Sequence, residues 1–186
     1  MSRRLVTLML VALAAVAVGA CGNKEELTVH GDTEGIYIDV GGLKYQVQIS
    51  RLLNPTDRED SGYLIDLPAG QQLGTDENWF AVFMRVENDS DKAAPATNGY
   101  SIKDTQGNVY KPIAMGPKNV FAYRPAVLQP KDILPLPSSA AAENTIQGSM
   151  LLFKIPVANF QNRPLELQIP PPQGGGGETG TVDLDV

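Results

Sequence analysis

The sequence predicts an all-β fold, an antiparallel sandwich of about seven short strands, on three observations. Apolar residues recur at every second position in several separate runs. Turn-forming residues stand between those runs, and no segment beyond the first twenty residues carries a sustained helical stripe.

In the first such run Leu43, Tyr45, Val47 and Ile49 alternate with Lys44, Gln46, Gln48 and Ser50, the pattern of a half-buried strand. Gly41-Gly42 before it turns the chain from a short strand over 36–40. Residues 54–62 are polar and contain Pro55, so they read as a loop, and 67–78, broken by Pro68, Gly70 and Gly74, as a second one. The intervening 63–66 is expected to be a short edge strand. Residues 79–87 are the most hydrophobic part of the domain. Phe80, Val82, Met84 and Val86 occupy one face while Trp79, Ala81 and Phe83 occupy the other, which predicts a strand central to the fold. Asn88-Asp89-Ser90-Asp91 then supplies turn-forming side chains.

Residues 100–103 and 108–110 flank Asp104-Thr105-Gln106-Gly107, a hairpin with glycine where a positive φ is needed. Prolines 112, 117, 125, 130, 135 and 137 predict irregular structure or edge pieces over the next stretch. Two further alternating runs follow: Ser149, Leu151, Phe153 and Ile155, then Leu165, Leu167 and Ile169. Residues 156–164 between them leave room for one helical turn. The sandwich is expected over 36–170. Beyond it, 171–186 reads as a linker rich in proline and glycine with an acidic tail; 181–186 alternates apolar and acidic residues and could pair with a sheet edge, but the expectation is a disordered tail.

The start of the chain has a different logic. Arg3 and Arg4 precede an apolar run over 5–18 interrupted only by Thr7, and Val18-Gly19-Ala20-Cys21 follows. Charge, apolar stretch and small residues are the layout of a secretory signal, here 1–20. At about 1.5 Å per residue the run makes roughly 21 Å of helix, short of the ~30 Å hydrocarbon core, so a permanent transmembrane anchor is disfavoured. Val18-Gly19-Ala20-Cys21 resembles the bacterial lipobox, which implies diacylglycerol transfer to the Cys21 sulfur and cleavage before it. Cys21 is the chain's one cysteine and stands where that motif requires it, whereas an ordinary signal would need no cysteine there. A buried methylene contributes about 0.8 kcal/mol, and a single chain holds only reversibly, so two or more acyl chains give firm attachment to a bilayer. Residues 21–35, polar and without apolar periodicity, read as a lipidated, flexible tether.

Removal of residues 1–20 from a chain of 186 leaves 166, enough for one domain with a real core. The formal charge of −6 includes Arg3 and Arg4, so without them the mature chain carries −8. That charge repels nucleic acid, which is excluded as a partner, and repels anionic headgroups, so attachment falls to the acylated Cys21.

Three segments resemble an uncharacterised immunoglobulin-like (telokin-like) domain of bacterial lipoproteins, related to small immunogenic antigens secreted by mycobacteria. They are Phe80-Ala81-Val82-Phe83-Met84-Arg85-Val86-Glu87-Asn88-Asp89-Ser90, the hairpin Asp104-Thr105-Gln106-Gly107-Asn108-Val109-Tyr110, and Gly148-Ser149-Met150-Leu151-Leu152-Phe153-Lys154-Ile155-Pro156 followed by Leu165-Glu166-Leu167. The resemblance covers roughly 40–169. It implies an immunoglobulin-like sandwich in the cell envelope without established catalytic residues. The proline-rich stretch 112–137 departs from the family's simplest pattern.

Catalytic chemistry is not evident. A serine nucleophile needs a base, usually histidine, and the one histidine, His30, lies in the tether, where solvation is expected. Asp57, Glu59 and Asp60, like Asp76 and Glu77, sit in polar loops where solvation and turn formation explain them better than acid–base work. Asp89–Asp91 and Asp104–Asn108 lack the spacing of a calcium loop. Met84, Met115 and Met150 lie in separate segments and read as packing residues, and Trp79 reads as core before sugar platform. Residues 174–177 lack the lysine and helix of a phosphate loop.

The expectation is therefore a non-enzymatic binding or structural module without cofactor or metal. Cys21 anchors it by lipid on the extracytoplasmic side of a cell membrane, where it engages another envelope protein. The alternative is a surface receptor for a small molecule or ion using the loops 52–78, where Tyr63 and Trp79 are the aromatics available.

Overall fold

The alternating runs pair into two sheets whose inner faces meet. The structure is a computed structural model, and it describes residues 27–185; the signal peptide expected over 1–20 and Cys21 lie outside the described residues. Strands β1 (His30–Gly31), β6 (Ser101–Lys103), β7 (Val109–Tyr110), β11 (Leu165–Ile169) and β12 (Gly180–Leu184) form one sheet, in the order β1-β12-β11-β6-β7. Strands β2 (Tyr37–Val40), β3 (Leu43–Leu53), β4 (Glu77–Glu87) and β10 (Ser149–Pro156) form the other, in the order β10-β4-β3-β2, with β9 (Ile133–Leu134) added to the end of β4. A small ladder of β5 (Ala94–Pro95) and β8 (Val127–Leu128) stands apart. The pairs are antiparallel except β1 with β12. The all-β sandwich is therefore what the sequence predicts.

Strand β4 is central, as its two apolar faces require. Phe80, Val82, Met84 and Val86 point into a core between the sheets, against Ile102, Leu165, Leu167, Ile169 and Val182. Trp79, Ala81 and Phe83 point the other way into a second core, with Leu53, Tyr63, Met115, Met150 and Leu152. Strand β10, read from sequence as alternating, also serves both cores: Leu151, Phe153 and Ile155 enter the first and Met150 and Leu152 the second.

Four expectations need correction. The disordered tail over 171–186 is one: Gly180–Leu184 is strand β12, between β1 and β11, with Val182 fully buried and Leu184 nearly so. Its alternating apolar positions are short, but they complete the floor of the first core. The linker over 170–179 does lack regular strand or helix.

The flexible tether is the second correction, for its described part. Asp39 N–H donates to the Thr28 carbonyl at 2.6 Å, and Gly35 N–H to the Val47 carbonyl at 2.9 Å. His30–Gly31 pairs with β12, and the Glu34 carboxylate accepts from Ser50 N–H (3.0 Å) and Asp185 N–H (3.2 Å). Residues 28–35 thus stitch the two sheets together through backbone bonds that a composition-based reading does not register.

The third concerns residues 54–66. They hold a helix, α1 (Arg58–Tyr63), where a loop and an edge strand are expected. Asp57 caps it, its side chain accepting from Glu59 and Asp60 N–H, while Tyr63 packs inward at the end of the helix. The fourth is the inward position of Ile49. The β3–β4 register shifts between Val47 and Ile49, a bulge at Gln48 that places Ile49 opposite Phe83, away from the first core; Ser50 then lies opposite Val82 on the first-core face, and Leu53, opposite Trp79, is buried in the second core.

The hairpin forms as expected, with Gly107 at φ 85°. The proline-rich stretch supplies only the two-residue pieces β8 and β9, followed by the short helix α2 (Ala140–Glu143). Residues 157–161 form one 3-10 turn.

Candidate functional site

The strand registers give the sandwich two ends. At one end stand Leu27, the Gly41-Gly42 turn and the 170–179 linker: Pro172 touches Gly41, Pro170 touches Gly99, and Gly180 fits between Ile38 and Val40. At the other end stand the 104–107 hairpin, Pro164 and Leu184, since Lys103 pairs with Glu166 and Leu165 with Leu184. Leu27, the first described residue, stands at the first of these ends.

That end holds a half-open cavity of about 670 Å³, walled by Leu27, Val29, Val40, Pro95 and Pro172, with Asp39 and Glu178 as its charged groups. Leu27 is 67% exposed at its rim. Asp39 is already engaged, accepting from Thr28 N–H at 3.0 Å. His30, expected to be solvated, is half-exposed but bonded: Nδ1 lies 2.6 Å from Thr181 Oγ1 and Nε2 3.0 Å from Asp32.

The opposite end is built around one carboxylate. Asp104 is buried and accepts from Gln106 and Asn108 N–H, from the Asn108 and Asn162 side-chain amides and from the Tyr110 hydroxyl. Burial alone would push its carboxyl up; the bonds from Asn108, Asn162 and Tyr110 outweigh that and hold it well below the usual carboxylate range. The Asn159 amide donates to Tyr110 Oη at 2.6 Å, and Thr105 N–H to the Asn162 carbonyl at 3.2 Å. The hairpin and the 157–162 turn are therefore one rigid unit. Beside it an open cleft of about 420 Å³ is lined by Lys103, Thr105, Gln106, Gly107, Pro164 and Glu166 as well as Asp104. No aromatic ring lines it.

The loop carboxylates take structural positions. Asp60 is buried and paired with Arg51 at 2.9 Å, and it accepts from Asn54 N–H. Glu77 accepts from Gly74 N–H and pairs with Lys154 at 3.4 Å, contacts that hold its carboxyl low. Among the described residues no three His, Cys, Asp or Glu side chains gather as a metal site requires. Met84, Met115 and Met150 are buried packing residues.

The 52–78 segment, proposed as a receptor site from sequence, has its own aromatic, Tyr63, and the adjoining Trp79 both committed to the second core. Tyr63 is stacked edge-on against Phe83 and Phe121, and Trp79 is buried. Outside, the segment exposes Leu52 and Ile65, and Pro68 and Gln71 contribute to a shallow hollow of about 530 Å³ shared with Lys111, Pro112, Ile113, Ala114 and Lys154.

A feature that sequence reasoning missed lies inside the first core. Tyr45 Oη accepts from Thr97 N–H at 2.9 Å and Tyr123 donates its hydroxyl to the Thr97 carbonyl at 2.8 Å. The Tyr100 ring stacks edge-on with both. Burial pushes the Tyr45 hydroxyl up to about 12 against the lowering effect of the Thr97 bond, and it pushes Tyr100 and Tyr123 up as well. The cluster fixes the 94–99 loop. No local pattern announces it, because its members lie far apart in sequence.

No family model matches the chain, and no curated protein matches it in sequence. The solved structure of "a putative lipoprotein (ycdA)" from Bacillus subtilis is similar with a TM-score of 0.47 and 9% identity, over 79% of this chain and 38% of that one. The chain thus spans well under two thirds of that protein, and a likeness at this level carries no argument for fold or function.

Proposed function

We propose that the protein is a lipid-anchored extracytoplasmic lipoprotein whose β-sandwich is a non-catalytic module for binding another envelope protein. The observation that carries this reading is the position of Cys21. It is the chain's sole thiol, it follows an export leader directly, and it stands behind the small residues a lipoprotein peptidase needs. The sandwich supports the binding half of the reading. Its polar groups are committed to holding loops in place, as at Asp104 and Asp60, and the rigid hairpin unit beside the open cleft is the kind of scaffolded loop surface that binds partners. The immunoglobulin-like assignment and the kinship with secreted mycobacterial antigens rest on the segments quoted for that resemblance.

The test is metabolic labelling with radioactive palmitate in a bacterial host that processes lipoproteins. The wild-type chain takes up label and fractionates with membranes, and Cys21→Ser takes up none. Label retained by Cys21→Ser, or a wild-type chain without label, overturns the anchor.

A further inference from the structure

The segment between the anchor and the fold is shorter than the composition suggests, and this constrains how the domain sits. From Cys21 to Leu27 there are six residue steps, which at full extension reach about 20 Å. The next residues are already bonded to β2 and β12. Leu27 lines the cavity formed by the Gly41-Gly42 turn and residues 172–178, so this end of the sandwich lies at the root of the anchor. The hairpin end is farther away by the length of β11 and its flanks, six steps from Pro170 to Pro164, or about 20 Å at strand rise.

From these distances we infer that the sandwich stands end-on, with Leu27, the Gly41-Gly42 turn and the 170–179 linker facing the bilayer and the Asp104 hairpin turned outward. The inference rests on the anchored reading. The partner of the near end is the lipid surface itself. Its exposed Leu27 and apolar cavity walls suit the interfacial zone, while Asp39 and Glu178 oppose deeper entry among anionic headgroups. The rigid unit of Asp104, Tyr110, Asn159 and Asn162, with the cleft at Lys103 and Glu166, is then the surface offered to soluble partners. Lacking an aromatic platform for a sugar, and carrying both charge signs, it fits a polar protein surface.

The experiment couples the whole mature chain through Cys21, its only thiol, to a maleimide-bearing lipid. The vesicles are of phosphatidylethanolamine and phosphatidylglycerol with acceptor-labelled headgroups. A clickable residue carries the donor dye at Gln173 near the linker or at Gln106 on the hairpin, both exposed. Energy transfer to the vesicle surface is expected to be severalfold more efficient from 173 than from 106. Equal transfer from the two positions, or stronger transfer from 106, overturns the orientation. Chemical coupling makes the outcome independent of whether a cell acylates Cys21, which the palmitate experiment tests separately.

Discussion

The two cores of this domain are held by different means. The first lies between two sheets and is filled by side chains that regular strands deliver at every second position, from Ile38 and Val82 to Leu167 and Val182. The second lies on the outer face of β3, β4 and β10 and is roofed by irregular chain carrying Leu64, Leu67, Ile113 and Phe121. Polar clasps hold that roof. Asn119 donates to the Tyr63 and Ile65 carbonyls at 2.8 Å and accepts from Phe121 and Ala122 N–H at 3.0 Å. Asp66 accepts from Lys118 N–H, its carbonyl accepts from Gly116 N–H, and Arg124 donates to the Met115 and Gly116 carbonyls. The lesson is that sheets give an apolar core its walls directly, whereas a loop roof needs side chains that bond backbone where no ladder exists.

The largest expected effect sharpens this contrast. Phe80→Ala empties a fully buried site packed edge-on against Phe160 and is expected to cost about 3–5 kcal/mol of global stability in urea unfolding. Asn119→Ala should cost less overall, about 1–3 kcal/mol for the backbone groups it strands, and its signature is local. Hydrogen exchange is expected to accelerate at 63–66 and 119–122 while β11 and β12 stay protected; acceleration in β11 and β12 as large as in the roof would contradict a locally held second core.

Gly180→Ala asks whether the C-terminal strand belongs to the first core. An added Cβ would sit 2.6 Å from methyl groups of both Ile38 and Val40, so the substitution is expected to cost about 1–3 kcal/mol by overpacking. A melting temperature unchanged from wild type would return the segment to the status of a tail. The smallest effects come from titration. Folding raises the Tyr45, Tyr100 and Tyr123 hydroxyls, so what they contribute is complete below about pH 10 and is lost as pH climbs through the folded value, about 12 for Tyr45. Folding lowers Asp104, so its contribution is complete above about pH 3.9 and fades as pH falls toward the folded value. Melting temperature against pH is expected to drop at both extremes, with Asp104→Asn flattening only the acid limb.

The same contrast governs what the sequence makes legible. Period-two alternation locates β2, β3, β4, β10 and β11, and the double-faced run at 79–87 marks the central strand, because burial in a sheet writes itself into side-chain spacing. Hidden are features whose cause is non-local. The bulge at Gln48 depends on pairing with β4, the helix at 58–63 on Tyr63 finding Phe83, and the strands at 30–31 and 180–184 on each other. Short polar-looking segments reveal a sheet only through the partner strand, and here the two partners lie at opposite ends of the chain. Of the functional reading, Cys21 is legible as a motif, whereas the Asp104 unit is visible in sequence only as a turn; its bonds to Asn162 come from a distant loop.

The chemical state of residue 21 distinguishes an anchored protein from an unprocessed one. Mass spectrometry of the protein purified from the membrane fraction is expected to show an N-terminal peptide that begins at Cys21 and carries the added mass of a diacylglyceryl group. A peptide beginning at Met1, recovered from the soluble fraction with an unmodified thiol at position 21, would contradict the anchor.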